Sequence, residues 1–447
     1  MPYTVVIDKL ASTSEKFPVV RINDHDGRSV GTLDVQATAF GLKRLPNRIA
    51  VDFLLIAATV YSLDKMVLRA DASNAWTRVF DVTVPVSDTG LWTNASSSLN
   101  ACVSFLTGDT WTFNFVEAKR QLLGTSAVGR VIPKIAEIGA VSLFSGGMDS
   151  LAGVIDWLEA NPNKGLLLAG HHDGQMTGPF GDQKNILPTL RKTYPGRIAQ
   201  SLVRVGNTGQ SPEITLRGRS LLFIAVAVCV ASGYGFEGPL ILPENGTIAL
   251  NVPLSPSRRG SCSTRTAHPF YIDLLAQVFA RVGLSYSIEN PLMVKTKGEV
   301  ARTCANKALF QQLVASSVSC AKRGHKRTWR NKHVKSCGRC MPCIYRRAAL
   351  QSAGLDNELY GSDICAGEVD FNDTKTEGPA DLRACLSFVR RNPSRREIAT
   401  LLLANGSLDV SQLDSYADLV VRAFEEIRQL FRAKGTKELK RMAGIKN

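Results

Sequence analysis

At 447 residues the chain is too long for one ordinary domain, and two or three are expected. A hydrophobic content of 44% with both charge signs excludes a disordered or fibrous chain, and a net charge of +15 favours an acidic partner. Met1-Pro-Tyr-Thr-Val-Val-Ile7 has no signal-peptide plan and no apolar run reaches membrane-spanning length, so no membrane contact and a cytoplasmic location are expected.

Residues 1–135 alternate strand-like pieces (3–7, 79–86, 110–116) with helical ones (49–63, 97–105), which predicts an N-terminal α+β accessory domain. Gly124-Thr-Ser-Ala-Val-Gly129 reads as the linker into a central sheet.

The central region opens with Val141-Ser-Leu-Phe-Ser-Gly-Gly-Met-Asp-Ser150. Its apolar start predicts a buried strand, and Leu151, Val154, Ile155 and Leu158 form a helical stripe. Between them, Ser145, Gly146, Gly147, Met148, Asp149 and Ser150 form a strand-to-helix loop. Two glycines permit a tight turn and close approach of a ligand, and a helix start offers free N–H groups and positive potential. That combination cradles an anion, with the Ser145 and Ser150 hydroxyls as further donors. No Walker A sequence occurs in the chain, and this loop lacks Gly-x-Gly-x-x-Gly. Ser-Gly-Gly-Met-Asp-Ser instead resembles the pyrophosphate loop of the PP-loop ATP pyrophosphatases, which implies pyrophosphate release and AMP transfer.

A second apolar run, Leu166-Leu-Leu-Ala-Gly170, predicts a neighbouring strand ending in His171-His-Asp-Gly-Gln175. In a parallel sheet such polar ends border the ligand crevice, although the histidines also read as plain loop polarity. Arg219 opens the apolar helix at residues 221–232 and suits a phosphate or carboxylate, or a helix-start surface charge. Thr296 and Glu299 have capping-box spacing, which leaves Lys295 and Lys297 as a functional pair.

Cys337-Gly-Arg-Cys340-Met-Pro-Cys343, with Cys320 upstream, suits a closed tetrahedral zinc site. An iron–sulfur cluster or a redox pair is the alternative, His325 and His333 are competing ligands, and Cys304 reads as a core residue. Between Lys322 and Arg347 there are ten Lys or Arg and no acid, which is a solvated loop, an ATP-facing surface or a nucleic-acid patch. After residue 356 the pattern turns helical (395–404, 413–433), and the basic end from residue 432 reads as a frayed tail.

Taken together, Ser145–Ser150, Asp173-Gly-Gln175, Gly218-Arg219, Pro291-Leu292 with Thr296-Lys297-Gly-Glu299, and Cys320 with the Cys337–Cys343 knuckle follow the order seen in the 7-cyano-7-deazaguanine synthases, the QueC family. The resemblance covers roughly residues 138–355. It implies an α/β protein: an adenine nucleotide alpha hydrolase-like PP-loop core with a zinc knuckle (136–355), the N-terminal α+β domain (1–135) and a helical C-terminal extension (356–447). It also implies ATP, Mg²⁺ and Zn²⁺ as cofactors, and adenylation of a carboxylate such as 7-carboxy-7-deazaguanine. Amide or nitrile formation, or ligation to a partner amine, would follow. Asp149, Arg219 and Lys297 would be catalytic, residues 145–150 and Gln175 would bind nucleotide, and Cys320, Cys337, Cys340 and Cys343 would bind zinc.

Gly-Arg-Ser replaces the family's Gly-Arg-Asn, and the loop between Cys320 and Cys337 is longer and more basic than usual. The long architecture resembles the QueC-like component of Qat-type anti-phage operons, which implies a protein partner in defence. Alternatives are a PP-loop enzyme modifying tRNA or DNA, and a nucleotide-binding scaffold of a defence complex.

Overall fold

The computed structural model describes residues 2–8, 19–36, 42–123, 128, 135–173, 178–208, 211–213, 215–258, 265–371 and 379–446. The predicted linker at 124–129, apart from Val128, and Gln175 lie outside the described residues. The N-terminal region runs β1 (Pro2–Ile7), β2 (Val20–Asn23), β3 (Ser29–Gln36), α1 (Arg48–Met66), β4 (Val79–Val86), α2 (Thr89–Thr107) and β5 (Thr110–Glu117). The central region follows as β6 (Ile138–Leu143), α3 (Met148–Ala160), β7 (Gly165–His172), α4 (Gly178–Thr193), β8 (Ile198–Thr208), α5 (Arg219–Tyr234) and β9 (Leu240–Ile241). It continues through α6 (Gly246–Leu250), α7 (Pro269–Val282), β10 (Ile288–Glu289), α8 (Lys297–Thr303), α9 (Lys307–Val314) and α10 (Met341–Ser352). The C-terminal helices are α11 (Ala380–Arg391), α12 (Arg395–Leu403), α13 (Leu413–Lys434) and α14 (Lys437–Met442).

Among the described residues the ten strands form one sheet, in the order β10-β9-β6-β7-β8-β3-β2-β1-β4-β5. The strands from β10 to β8 are parallel, as are β1, β4 and β5. Antiparallel pairing of β3 with β8, Thr32 opposite Thr208, joins the two parts. The N-terminal α+β region therefore continues the central sheet.

Parallel strands covered on both faces are apolar throughout, and their side chains alternate between two cores. Leu166 and Leu168 of β7 pack with α3 and α9. Leu167 and Ala169 point to the opposite face, with α1 and α5. Helix α5 is buried from Ser220 to Tyr234, which explains its apolar character all round. After β8 the chain returns through α5 to place β9 on the far side of β6, so strand order reverses between β6 and β9. In open α/β sheets that reversal opens a crevice at the carboxyl ends of the strands.

The C-terminal helices share an apolar core with α10 and with Leu250, Val252 and Leu254. The basic end expected to fray is instead folded as α14. The Thr436 hydroxyl caps the Leu439 N–H at 3.2 Å, and Leu439 is fully buried. Among the described residues no helix is long and apolar enough to cross a membrane.

Candidate active site

The Ser145–Ser150 loop sits at this reversal point, between the end of β6 and the start of α3. Gly146 adopts φ +80°, and a Cβ there would come within 3.1 Å of Asp182 Cβ and 3.3 Å of the Gln183 backbone nitrogen. Both strain and space therefore favour glycine. Gly147 is the N-cap of α3 and supplies no side-chain cap. Its own N–H donates to Ser145 Oγ at 3.2 Å, and Ser150 Oγ donates to its carbonyl at 3.0 Å. The Met148 side chain is buried in the core, so Met148 meets the loop only through its backbone.

Asp149 is the centre of a buried polar group. Its Oδ2 accepts from Lys297 Nζ at 2.6 Å and from Asn245 Nδ2 at 2.9 Å. Its Oδ1 is buried and has no partner among the described residues. Asn245, in the turn after β9, also caps α6 by accepting from the Ile248 N–H at 3.2 Å, which fixes the orientation of its amide. The adjoining Glu244 is held by Asn290, whose side chain accepts from the Glu244 N–H at 3.3 Å and donates to its carbonyl at 2.8 Å. Burial pushes the Glu244 carboxyl up to about 7, the Asp149 charge pushes it the same way, and Lys297 opposes. In sequence, Pro243-Glu-Asn-Gly246 falls where the QueC resemblance expects a substrate-contacting segment without matching it closely, and Asn before Gly at a helix start is a capping signal.

Thr296 and Glu299 form the expected capping box at the start of α8, and Lys297 is buried beside it. Lys295 turns away to donate to Thr303 Oγ1 at 3.0 Å, so only Lys297 of that pair enters the site.

Arg219 belongs to a second cluster, at the end of β7. Its guanidinium lies over the Phe223 ring at 5.1 Å, close to Tyr61 and Asp173, and burial lowers its pKa. Asp173 accepts from Lys65 Nζ at 2.7 Å and Tyr61 Oη at 2.9 Å, both from α1. No contact joins Arg219 to Asp149 or Lys297 among the described residues. His171 lies within β7 rather than in a loop, with Nε2 2.8 Å from the Val205 carbonyl and its ring edge-on to Tyr61 and Phe223. Burial drives its pKa down to about 3, so it is a neutral core group. His172 stacks on Phe180.

The four cysteines converge. The sulfurs of Cys320, Cys337, Cys340 and Cys343 lie within 4.8 Å of one another, and those of Cys337 and Cys343 are 3.8 Å apart. Tetrahedral thiolate ligation of one zinc at about 2.3 Å requires sulfur separations of about 3.8 Å. Backbone N–H groups of Arg339 and Cys340 donate to Cys337 Sγ at 3.4 and 3.3 Å. Gly338 turns at φ +80°, where a Cβ would strike the Ser362 carbonyl at 2.5 Å. The donor set and spacing suit a single closed metal site such as zinc. This knuckle is tied to the loop, because the Val318 N–H donates to the Gly146 carbonyl at 3.1 Å. Cys304 is a buried residue between α8 and α9.

No protein-family model matches this chain, and no curated protein matches it either.

The basic stretch divides into two sets. Arg323 and Lys335 pair with buried Asp182, Arg346 with Glu358, and Arg347 with Asp356 and Asp363. Lys326, Arg327, Arg330 and Lys332 are exposed, whereas Trp329 is buried and offers no stacking surface. His325 and His333 are not among the clustered metal-ligating groups.

Proposed function

We propose that this chain is a PP-loop enzyme that activates a carboxylate by adenylation with ATP. The observation carrying the reading is a glycine loop at the sheet's reversal point whose Asp149 is ion-paired to Lys297 and keeps one buried oxygen unpartnered. An unsatisfied buried carboxylate oxygen is costly, and a metal ion, a water or a donor from substrate relieves it. Asp149 Oδ1 fits Mg²⁺, which supplies charge neutralisation to phosphates when bound.

In this reading the first-turn N–H groups of α3, with Ser145 and Ser150, hold the leaving pyrophosphate. The substrate carboxylate attacks the α-phosphorus, and the protein contributes alignment and charge stabilisation. Lys297 supplies positive charge beside Asp149. Arg219, in the neighbouring cluster, faces the substrate carboxylate or adenylate. Zinc braces the wall through Val318 and Gly146 and takes no part in the chemistry.

The substrate proposed from the QueC resemblance is 7-carboxy-7-deazaguanine, with ammonia or an amine of a defence-system partner as acceptor. The test is exchange of labelled pyrophosphate into ATP in the presence of that carboxylate. Exchange by the natural protein that disappears in Asp149→Ala and Gly147→Val supports the assignment; exchange that survives both substitutions overturns it. Mass spectrometry of products formed with candidate partners then identifies the acceptor.

A second reading, an enzyme acting on nucleic acid, is favoured by the exposed Lys326, Arg327, Arg330 and Lys332. Such a surface binds phosphates without stacking, so affinity for RNA should fall steeply with salt. Indifference to RNA removes this reading.

A further inference from the structure

We infer that Glu426, on the C-terminal helix α13, is a positioning residue that fixes Lys297 toward Asp149. The inference rests on the reading of Lys297 and Asp149 as the ATP site, and its geometric part can be tested separately.

Glu426 is 8% exposed and inserts its carboxylate against the first turn of α8. Oε1 accepts from Thr296 Oγ1 at 2.6 Å, and Oε2 accepts from the Gly298 N–H at 3.1 Å. Those residues are the immediate neighbours of Lys297 on either side. One carboxylate thus holds the side chain before the lysine and the backbone N–H after it.

The Thr296 hydroxyl also accepts from the Glu299 N–H at 3.0 Å, so its proton is committed to Glu426 and its lone pair to the helix cap. A Cβ at position 298 would lie 2.3 Å from Glu426 Oε1, so glycine is what admits the carboxylate. Both guanidinium nitrogens of Arg302 that face it lie 3.3 Å from Oε1, giving the buried acid a counter-charge. Burial raises the Glu426 pKa, and the bonds from Thr296, Gly298 and Arg302 oppose that rise. One turn earlier on α13, Arg422 donates to Glu299 Oε1 at 2.8 Å and to the Val294 carbonyl at 3.1 Å. Two adjacent positions on one face of α13 therefore hold the whole segment that carries Lys297. This assigns the C-terminal region a role in the site besides its own packing.

The test compares Glu426→Ala and Glu426→Gln with Leu430→Ala, a fully buried residue of α13 whose loss weakens the same helix without touching α8. Two readouts are taken on folded, full-length protein: kcat and KM for ATP in pyrophosphate exchange, and the rate of Lys297 acetylation by acetic anhydride, followed by mass spectrometry. Displacement of an aligned group by about 1 Å can cost a hundredfold in rate, so Glu426→Ala should lower kcat by about ten- to a hundredfold. It should also speed Lys297 acetylation from its buried, slow rate, because loosening the first turn of α8 raises the local opening that exposes the amine. Glu426→Gln, which keeps one acceptor oxygen, should fall between, and Leu430→Ala should change neither readout per folded molecule. Equal acetylation and equal kcat in Glu426→Ala and Leu430→Ala overturn the inference. Absence of exchange in the natural protein rejects the ATP reading instead, while acetylation still decides whether Glu426 holds Lys297.

Discussion

Lys297 Nζ stands 2.6 Å from Asp149 Oδ2, joining the first turns of α8 and α3 across 148 positions of sequence. Both side chains are less than one-tenth exposed. Removing one partner of a buried pair strands the other charge, which typically costs about 3–5 kcal/mol. Lys297→Met should therefore destabilise the protein by about 3 kcal/mol by that rule. Asp149→Asn combined with Lys297→Met should recover much of the loss while leaving pyrophosphate exchange abolished. Urea unfolding and exchange assays on the natural protein and the two variants check this, and a double variant no more stable than Lys297→Met contradicts it.

The cysteine cluster predicts one tightly held zinc per chain. Metal analysis should find a 1:1 ratio, with the four clustered thiols slow to react until a strong chelator is added. Cys340→Ser should lower the metal content and the melting temperature together, because binding energy at a closed site is folding energy. The Val318–Gly146 bond extends the consequence to the loop: if the loop holds ATP as proposed, chelation should weaken nucleotide binding. Full zinc retention in Cys340→Ser would speak against a four-sulfur site.

Acidification acts on two buried histidines in one direction and on Glu244 in the other. Burial lowers His171 to about 3 and His268 to about 4, and positive charge on Arg219 and Arg265 adds to this. Each therefore contributes stability that is fully present above pH 6.5 and is lost as pH falls toward its folded value, at about 1.4 kcal/mol per unit. Glu244, raised to about 7, binds its proton earlier in the folded state, so its contribution falls as pH rises from 4.5 to 7. Glu244→Gln should make the loss of stability between pH 7 and 5 steeper than in the natural protein. Unfolding free energies at the two pH values decide it; an unchanged slope contradicts the placement of Glu244.

The parts of the site legible in sequence are those whose signals are local. Gly146 and Gly147 mark a turn between an apolar strand and an amphipathic helix, Thr296 and Glu299 mark a cap, and the knuckle spacing marks a metal site. The segment Pro243–Gly246 could be placed by resemblance, but the bond of Asn245 to Asp149 and the role of Glu426 were not legible, because those partners lie 96 and 130 positions away. The same holds for the sheet: each N-terminal strand is readable alone, yet the β3–β8 pairing that unites the halves follows from tertiary packing. At the C-terminal end, high charge suggested fraying, but Leu439 and Ala443 are buried in the C-terminal core and Met442 and Ile445 pack against it, which docks α14.

Helix α1 carries the last prediction. Asp64 accepts from Arg78 at 2.6 Å through Oδ1, and through Oδ2 from Thr215 Oγ1 at 2.9 Å and the Gly218 N–H at 3.2 Å. Arg69 and Arg78 also share Asp109, so two acids balance two buried arginines. Asp64→Ala leaves one acid against both guanidinium groups and should destabilise by at least about 3 kcal/mol. It also frees the Gly218 N–H, the residue before Arg219, from its anchor. At a temperature where the variant remains folded, the proposed function then predicts that affinity for the carboxylate substrate falls while ATP binding, assigned in that proposal to the Asp149 side, changes little. Calorimetric titration with each ligand separates the two, and a parallel loss of both would mean that α1 supports the whole crevice rather than the Arg219 side.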